Sequence, residues 1–308
     1  MELHIPDLES YHYFFIIAVL LLSILYVYDI VNDKKCCQPT RNEEFTFSTY
    51  DYSENNGPSF WSKIFIAAEG KQQSPINLLE KSVKVISFES TVPLLFSKEF
   101  NIIPSEMKVY NNSHNIVLYG TWANNRRPSI VGGPLTTDYC FVNLRFRWGP
   151  NDYEGSEHMI NFSRFSMELQ AAFIKSNTVQ EDILTAAKNH NLLIVSYVFM
   201  VTSTDNPYLE PIINAIEYLK LPMSCLCIEP VTLSLLMPVF ERDYFCYVGS
   251  LSFPPCTEGV LWIVKPEPLM ISSQQVKQFR KVCGYNGRIK TNTRPVQPIN
   301  GREVLYYD

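Results

Sequence analysis

The sequence predicts a mainly β (α+β) body with short helices, preceded by one transmembrane helix. Three features carry this reading. One uncharged apolar stretch lies near the N-terminus, short runs rich in Val, Ile, Tyr and Phe alternate with Pro, Gly and Asn clusters, and two runs are apolar at every position. At 308 residues the chain holds at most about two domains of roughly 150 residues, or one large domain with an appendage. Hydrophobic residues at 46% and charged residues at 19% exclude a collagen-like, low-complexity or wholly disordered chain. Lys plus Arg number 26 against 31 for Asp plus Glu, a net charge of −5, so no footprint for nucleic acid is present and that class of partner is set aside.

Residues 1–10 form an N-terminal tail. Tyr13 to Tyr28 reads YFFIIAVLLLSILYVY, without a charge and bordered by tyrosines. Residues 11–31 then supply the about 20 apolar positions a span requires, with Asp29 at the headgroup level. A cleaved signal peptide fits less well, because no Lys or Arg precedes Tyr13 and no small-residue cleavage site follows. Lys34, Lys35 and Arg41 come after the apolar stretch, which by the positive-inside rule places the large C-terminal part in the cytoplasm. Cys36 and Cys37 beside them are either palmitoylation sites or plain linker thiols. Two sequons, Asn111-Asn112-Ser113 and Asn161-Phe162-Ser163, would matter only in a secretory compartment and leave the side of the membrane open. Eight cysteines in a chain of this size do not demand a disulfide framework.

Residues 32–57 are polar and without periodicity, so they read as a linker. Their aromatics, Phe45, Phe47, Tyr50 and Tyr52, mark either a docking segment or the first contact strand of the body. The body spans 58–308. Its 20 prolines, counted over the whole chain, disfavour long helices, and helical spacing appears only at Val179 to Lys188, Leu209 to Lys220 and Ser273 to Val282. The runs Leu192 to Val201 and Val260 to Val264 lack alternation and predict strands buried on both faces. Cys140 to Trp148 alternates: Cys140, Val142, Leu144, Phe146 and Trp148 share one face, while Asn143, Arg145 and Arg147 share the other. Met167 and Leu169 likewise oppose Glu168 and Gln170.

Six blocks then follow in order: QQSPINL (Gln72 to Leu78), NNSHNIVL (Asn111 to Leu118), RFRWG with GSEH (Arg145 to His158), MELQ (Met167 to Gln170), GSLSFPPCTEGVLWIV (Gly249 to Val264) and RPVQPINGR (Arg294 to Arg302). Their succession resembles the signature blocks of the α-carbonic anhydrases. The resemblance implies a large twisted, mostly antiparallel central sheet with short peripheral helices and a zinc at the foot of a cleft. It places the three zinc histidines at Arg145, Arg147 and Gln170, so all three are replaced. It also places the proton shuttle at His114, the gate carboxylate and hydroxyl at Glu157 and Ser252, and the carboxylate behind the third ligand at Glu168. Ala172, Ile194, Leu251, Val260 and Trp262 match the wall of the carbon dioxide pocket, and Phe253 takes a position that is usually small. Cys256 matches a disulfide cysteine whose partner position is Ala68, which favours a reducing compartment.

The chemistry of the replacement does not depend on the resemblance. A guanidinium stays protonated and has no lone pair for a metal, so Arg145 and Arg147 are not ligands. The body holds only His114, His158 and His190. No cofactor is therefore expected, and the resemblance points to the catalytically inactive branch of the family, a pseudoenzyme on a membrane whose fold serves as a structural or protein-binding module with an unidentified partner. Two further outcomes stay open. Arg145 and Arg147 form a pocket for bicarbonate or another small anion, or they are neutralised by Glu157 and Glu168 in a buried ion-pair cluster. Residual carbonate dehydratase activity without zinc is the weakest alternative, since no Ser-His-carboxylate or Cys-His arrangement follows from the spacings.

Overall fold

The computed structural model describes residues 17, 19–23 and 50–308. Of the predicted anchor at 11–31, the described residues Ile17 and 19–23 are helical, and the rest of the call lies outside the described residues. Among the described residues no helix is long and apolar enough to cross a membrane. Cys36, Cys37 and most of the linker also lie outside them. The chain divides into two compact units, residues 1–41 and residues 42–308.

The second unit is built on a twelve-stranded sheet. Its strands are β1 (Lys84–Ile86), β2 (Leu94–Phe96), β3 (Glu106–Asn111), β4 (Ile116–Thr121), β5 (Ser129–Gly132), β6 (Leu135–Trp148), β7 (Met167–Lys175), β8 (Leu192–Thr202), β9 (Cys225–Ile228), β10 (Tyr244–Ser250), β11 (Glu258–Ser272) and β12 (Leu305–Tyr307). The order across the sheet is β9-β3-β4-β6-β7-β8-β11-β10-β12-β1, with β5 on β6 and β2 on β5. Only the β8–β11 and β12–β1 pairs are parallel, so the sheet is mixed and mostly antiparallel. A sheet of this width twists, because each strand carries a right-handed twist.

The two unalternating runs lie in β8 and β11, which pair side by side in the middle of the sheet. Each feeds both faces. Leu193, Val195, Tyr197 and Phe199 join the larger apolar core, whereas Leu192, Ile194 and Val198 join the smaller one on the other side. The predicted helices exist but are shorter. Ile183–Lys188 starts where the Asp182 side chain accepts from the Thr185 amide, and Ser273–Phe279 starts at a Ser272/Gln275 capping box. Glu210–Ile216 follows a 3-10 turn at Pro207–Leu209. Ile212, Ile216, Val276 and Phe279 pack these last two helices on the larger core, each fully buried side chain contributing about 1.5–3 kcal/mol.

Two expectations need correction, and one feature that the sequence left open is decided. The strict alternation of Cys140 to Trp148 is broken, because the β6–β7 register shifts between Phe141 and Asn143. This bulge puts Phe141 with Leu144, Phe146 and Trp148 in the larger core and turns Val142 to the smaller one. The linker boundary at residue 57 also moves. Tyr50 is 5% exposed and packs with Trp61 and Cys256, so the body begins no later than Tyr50. The sequon at Asn111 is unusable in the folded body, since Asn111 is fully buried and its Nδ2 donates to the carbonyls of Leu219, Leu221 and Cys283. Asn161 is exposed.

Candidate active-site cleft

Strands β6 and β7 place together Arg145, Arg147 and Gln170, the three positions that the resemblance assigns to zinc ligands. Asn143, Arg145 and Arg147 lie on one face of β6, and the register sets Arg145 opposite Gln170 and Arg147 opposite Glu168. The period of two that separates the arginines from Phe146 and Trp148 is what brings two like charges onto one face.

Arg147 forms the floor. Its side chain is 1% exposed, and every nitrogen has a partner. Nε donates to Gln170 Oε1 at 3.0 Å and stands 3.3 Å from Glu157 Oε2. Nη1 donates to Tyr52 Oη at 3.0 Å and to the Asn292 carbonyl at 3.1 Å, and Nη2 donates to Ser252 Oγ at 3.2 Å. Burial alone lowers the pKa of this guanidinium, but the Glu157 charge, with Tyr52 and Tyr50, outweighs it and raises the value. Burial also pushes the Tyr52 phenol up to about 12, so it stays protonated.

The glutamates divide the expected neutralisation between different partners. Glu157 takes Arg147 and accepts from Gln170 Nε2 at 2.7 Å and from the Arg294 amide at 2.9 Å. Glu168 pairs with His158, whose Nδ1 lies 2.8 Å away. Its oxygens also accept from Ser196 Oγ, Gln170 Nε2 and the amides of Glu157 and His158. Burial would raise the Glu168 carboxyl, yet the His158 charge and these hydrogen bonds hold it well below its ordinary value. From His158 the chain of contacts runs through Tyr247 Oη at 2.7 Å to Ser74 Oγ at 2.9 Å from that phenol. Gln170 thus bridges both carboxylates and the arginine with one amide.

Arg145 is 9% exposed, with Nε 3.4 Å from Asn143 Oδ1 and its guanidinium 4.7 Å from the centroid of Phe253. Asn143 Nδ2 is buried and finds no acceptor among the described residues. Ala172, Ile194, Leu251, Val260 and Trp262, the positions that the resemblance assigns to a pocket wall, are all buried in one apolar cluster, together with Phe253. Cys256 is a free, buried thiol whose pKa burial pushes up to about 11, and Ala68 packs in the same small cluster. His114 is 6% exposed and stacks on Tyr50, ring centroids 4.2 Å apart. It borders a 670 Å³ cavity between residues 50–55 and the Gly284 to Thr291 loop, which none of Arg145, Arg147 and Gln170 lines.

This floor does not fit a catalytic zinc. Such an ion needs three lone pairs and an open fourth position, whereas the nitrogens here are guanidinium donors and the Gln170 carbonyl oxygen is already taken by Arg147. Among the described residues no group of three or more His, Cys, Asp and Glu side chains is placed to hold a metal.

Two contributors escaped the sequence reading: Asn292 lies two residues before the last block, and Tyr247 carries no motif. From sequence, Asn143 falls on the arginine face without a role, and Tyr52 belongs to the linker or to the first contact strand. The phenols of a tyrosine pair just ahead of the body were the one available signal.

The mostly β body on a large mixed sheet fits the family that the comparison to known proteins finds. The model of the eukaryotic-type carbonic anhydrase family matches residues 56–308. Carbonic anhydrase 1 of Monodelphis domestica is 33% identical over 261 residues, covering 83% of this chain and 96% of that protein. A match of that extent makes this chain a member of the eukaryotic-type, or α, carbonic anhydrase family.

Proposed function

We propose that this chain is a catalytically inactive carbonic-anhydrase-related protein, held on a membrane by residues 11–31 with its body on the cytoplasmic side. The body then serves as a structural or protein-binding module. The observation that carries the reading is Arg147, whose guanidinium is bonded to Glu157, Gln170, Ser252 and Tyr52 at the foot of the cleft. Metal-assisted hydration relies on lowering the pKa of a water from about 15.7 to about 7, and the residues at this floor are donors and cations. The membrane part rests on the sequence of residues 11–31 and on the basic residues that follow.

The test is zinc stoichiometry by atomic spectroscopy on the full chain, purified without chelators. A value near zero is expected, and a value near one per chain overturns the reading. The triple variant Arg145→His, Arg147→His, Gln170→His is expected to take up zinc, and a folded variant that takes up none refutes the assignment of positions. Protease protection of intact vesicles checks the side of the body.

A second reading has one observation in its favour. The unpartnered Asn143 Nδ2 beside Arg145 would suit a small anion such as bicarbonate, with the guanidinium as the second donor. The pairing of Arg147 with Glu157 counts against a two-arginine site. Calorimetric titration with millimolar bicarbonate decides it, and absence of heat sinks it.

A further inference from the structure

We propose that Phe253 is a second barrier in this cleft, separate from the loss of the metal ligands: its ring fills the space between the arginine floor and the apolar wall, where carbon dioxide would have to approach. The inference rests on the reading of the site given above. One ring touches both sides of that space. Its centroid lies 4.7 Å from the Arg145 guanidinium and 5.5 Å from that of Arg147, and the same side chain packs in the cluster of Ile194, Leu251, Val260 and Trp262. Only 9% of it is exposed. The backbone holds the ring in place. The Leu251 amide donates to the Thr257 carbonyl at 2.9 Å, and the Cys256 amide donates to the Phe253 carbonyl at 2.9 Å, closing a turn that prolines 254 and 255 stiffen.

The ring also explains how two guanidiniums tolerate one face. Glu157 neutralises Arg147, and the negative π-face of Phe253 offers both cations a favourable surface while keeping water from them. Phe253 and the arginines therefore form one coupled unit. Restoring the histidines alone would leave the ring in the way.

Two measurements test this. In the natural chain, phenylglyoxal modification of Arg145, mapped by mass spectrometry, is expected to rise at least several-fold in Phe253→Thr. Equal rates in the two chains overturn the proposal, and Phe253→Ser, which also removes the bulk of the ring, replaces the threonine variant if that does not fold. In the triple histidine background, chains with Phe253 and with Phe253→Thr are both expected to bind about one metal. Azide should then perturb the cobalt(II) absorption only in the threonine chain, and carbon dioxide hydration should be at least tenfold higher there. Equal azide response and equal hydration overturn the barrier. If neither chain takes up metal, the assignment of the ligand positions fails, and the arginine modification rates decide the proposal by themselves.

Discussion

Replacing Arg147 by methionine tests whether the guanidinium is what makes the buried carboxylate beneath it tolerable. Arg147 and Glu157 are 1% and 0% exposed, with 3.3 Å between Nε and Oε2, so solvent screening does not weaken the pair. Removing one member of a buried pair leaves an uncompensated charge and costs about 3–5 kcal/mol. Four hydrogen bonds, to Gln170, Tyr52, the Asn292 carbonyl and Ser252, disappear with it. For a body of this size that loss corresponds to about 6–20 °C in melting temperature, at about 2–4 °C per kcal/mol. The double variant Arg147→Met, Glu157→Gln removes both charges and is expected to recover most of the loss, because an uncharged pair of similar volume no longer buries a charge. Urea and thermal unfolding of the parent, both single variants and the double variant give the coupling free energy, expected to be at least about 2 kcal/mol. A cost below about 1 kcal/mol for Arg147→Met, or strict additivity of the two changes, would refute the ion pair as the foundation of this site.

Two more predictions follow from the same network. The Glu168 carboxyl is held below its ordinary value of 4.5, so its stabilising contribution is complete above that value and is lost as pH falls through the lowered one. Glu168→Gln should therefore be destabilised at pH 7 by about 1.5–3 kcal/mol, the worth of a hydrogen bond to a charged group. Its stability should also fall less steeply than that of the parent as the medium is acidified below pH 4.5, read from urea midpoints across pH. A fragment beginning at residue 58 loses the stack of Tyr50 on His114 and the Tyr52 bond to Arg147. It should be about 3 kcal/mol less stable than one beginning at residue 50 by chemical denaturation, given burial of an aromatic side chain and a charge-assisted bond, and equal stability would return residues 50–57 to the linker.

Residue type alone determines several properties of this protein. Arginine at 145 and 147 excludes these two side chains as metal ligands wherever the chain folds, because the donor capacity belongs to the side chain and not to its surroundings. The runs 192–201 and 260–264 announce strands buried on both faces, since an apolar residue at every position leaves no face for water, and β8 and β11 do lie centrally. Other properties had no local signature. The bulge at Val142 is a backbone event in a run whose side chains alternate without fault, and it is visible only in the pairing with β7. Which carboxylate meets which basic side chain was equally hidden: Glu157 and Glu168 stand eleven residues apart, and only the fold turns one to Arg147 and the other to His158. Tyr52 and Asn292 reach Arg147 across 95 and 145 residues of chain. The sequence thus decides what these side chains are able to bond, through chemistry that each carries with it. Which partners meet at Arg147 is decided by tertiary structure, because residues so distant converge only after the sheet has set their positions.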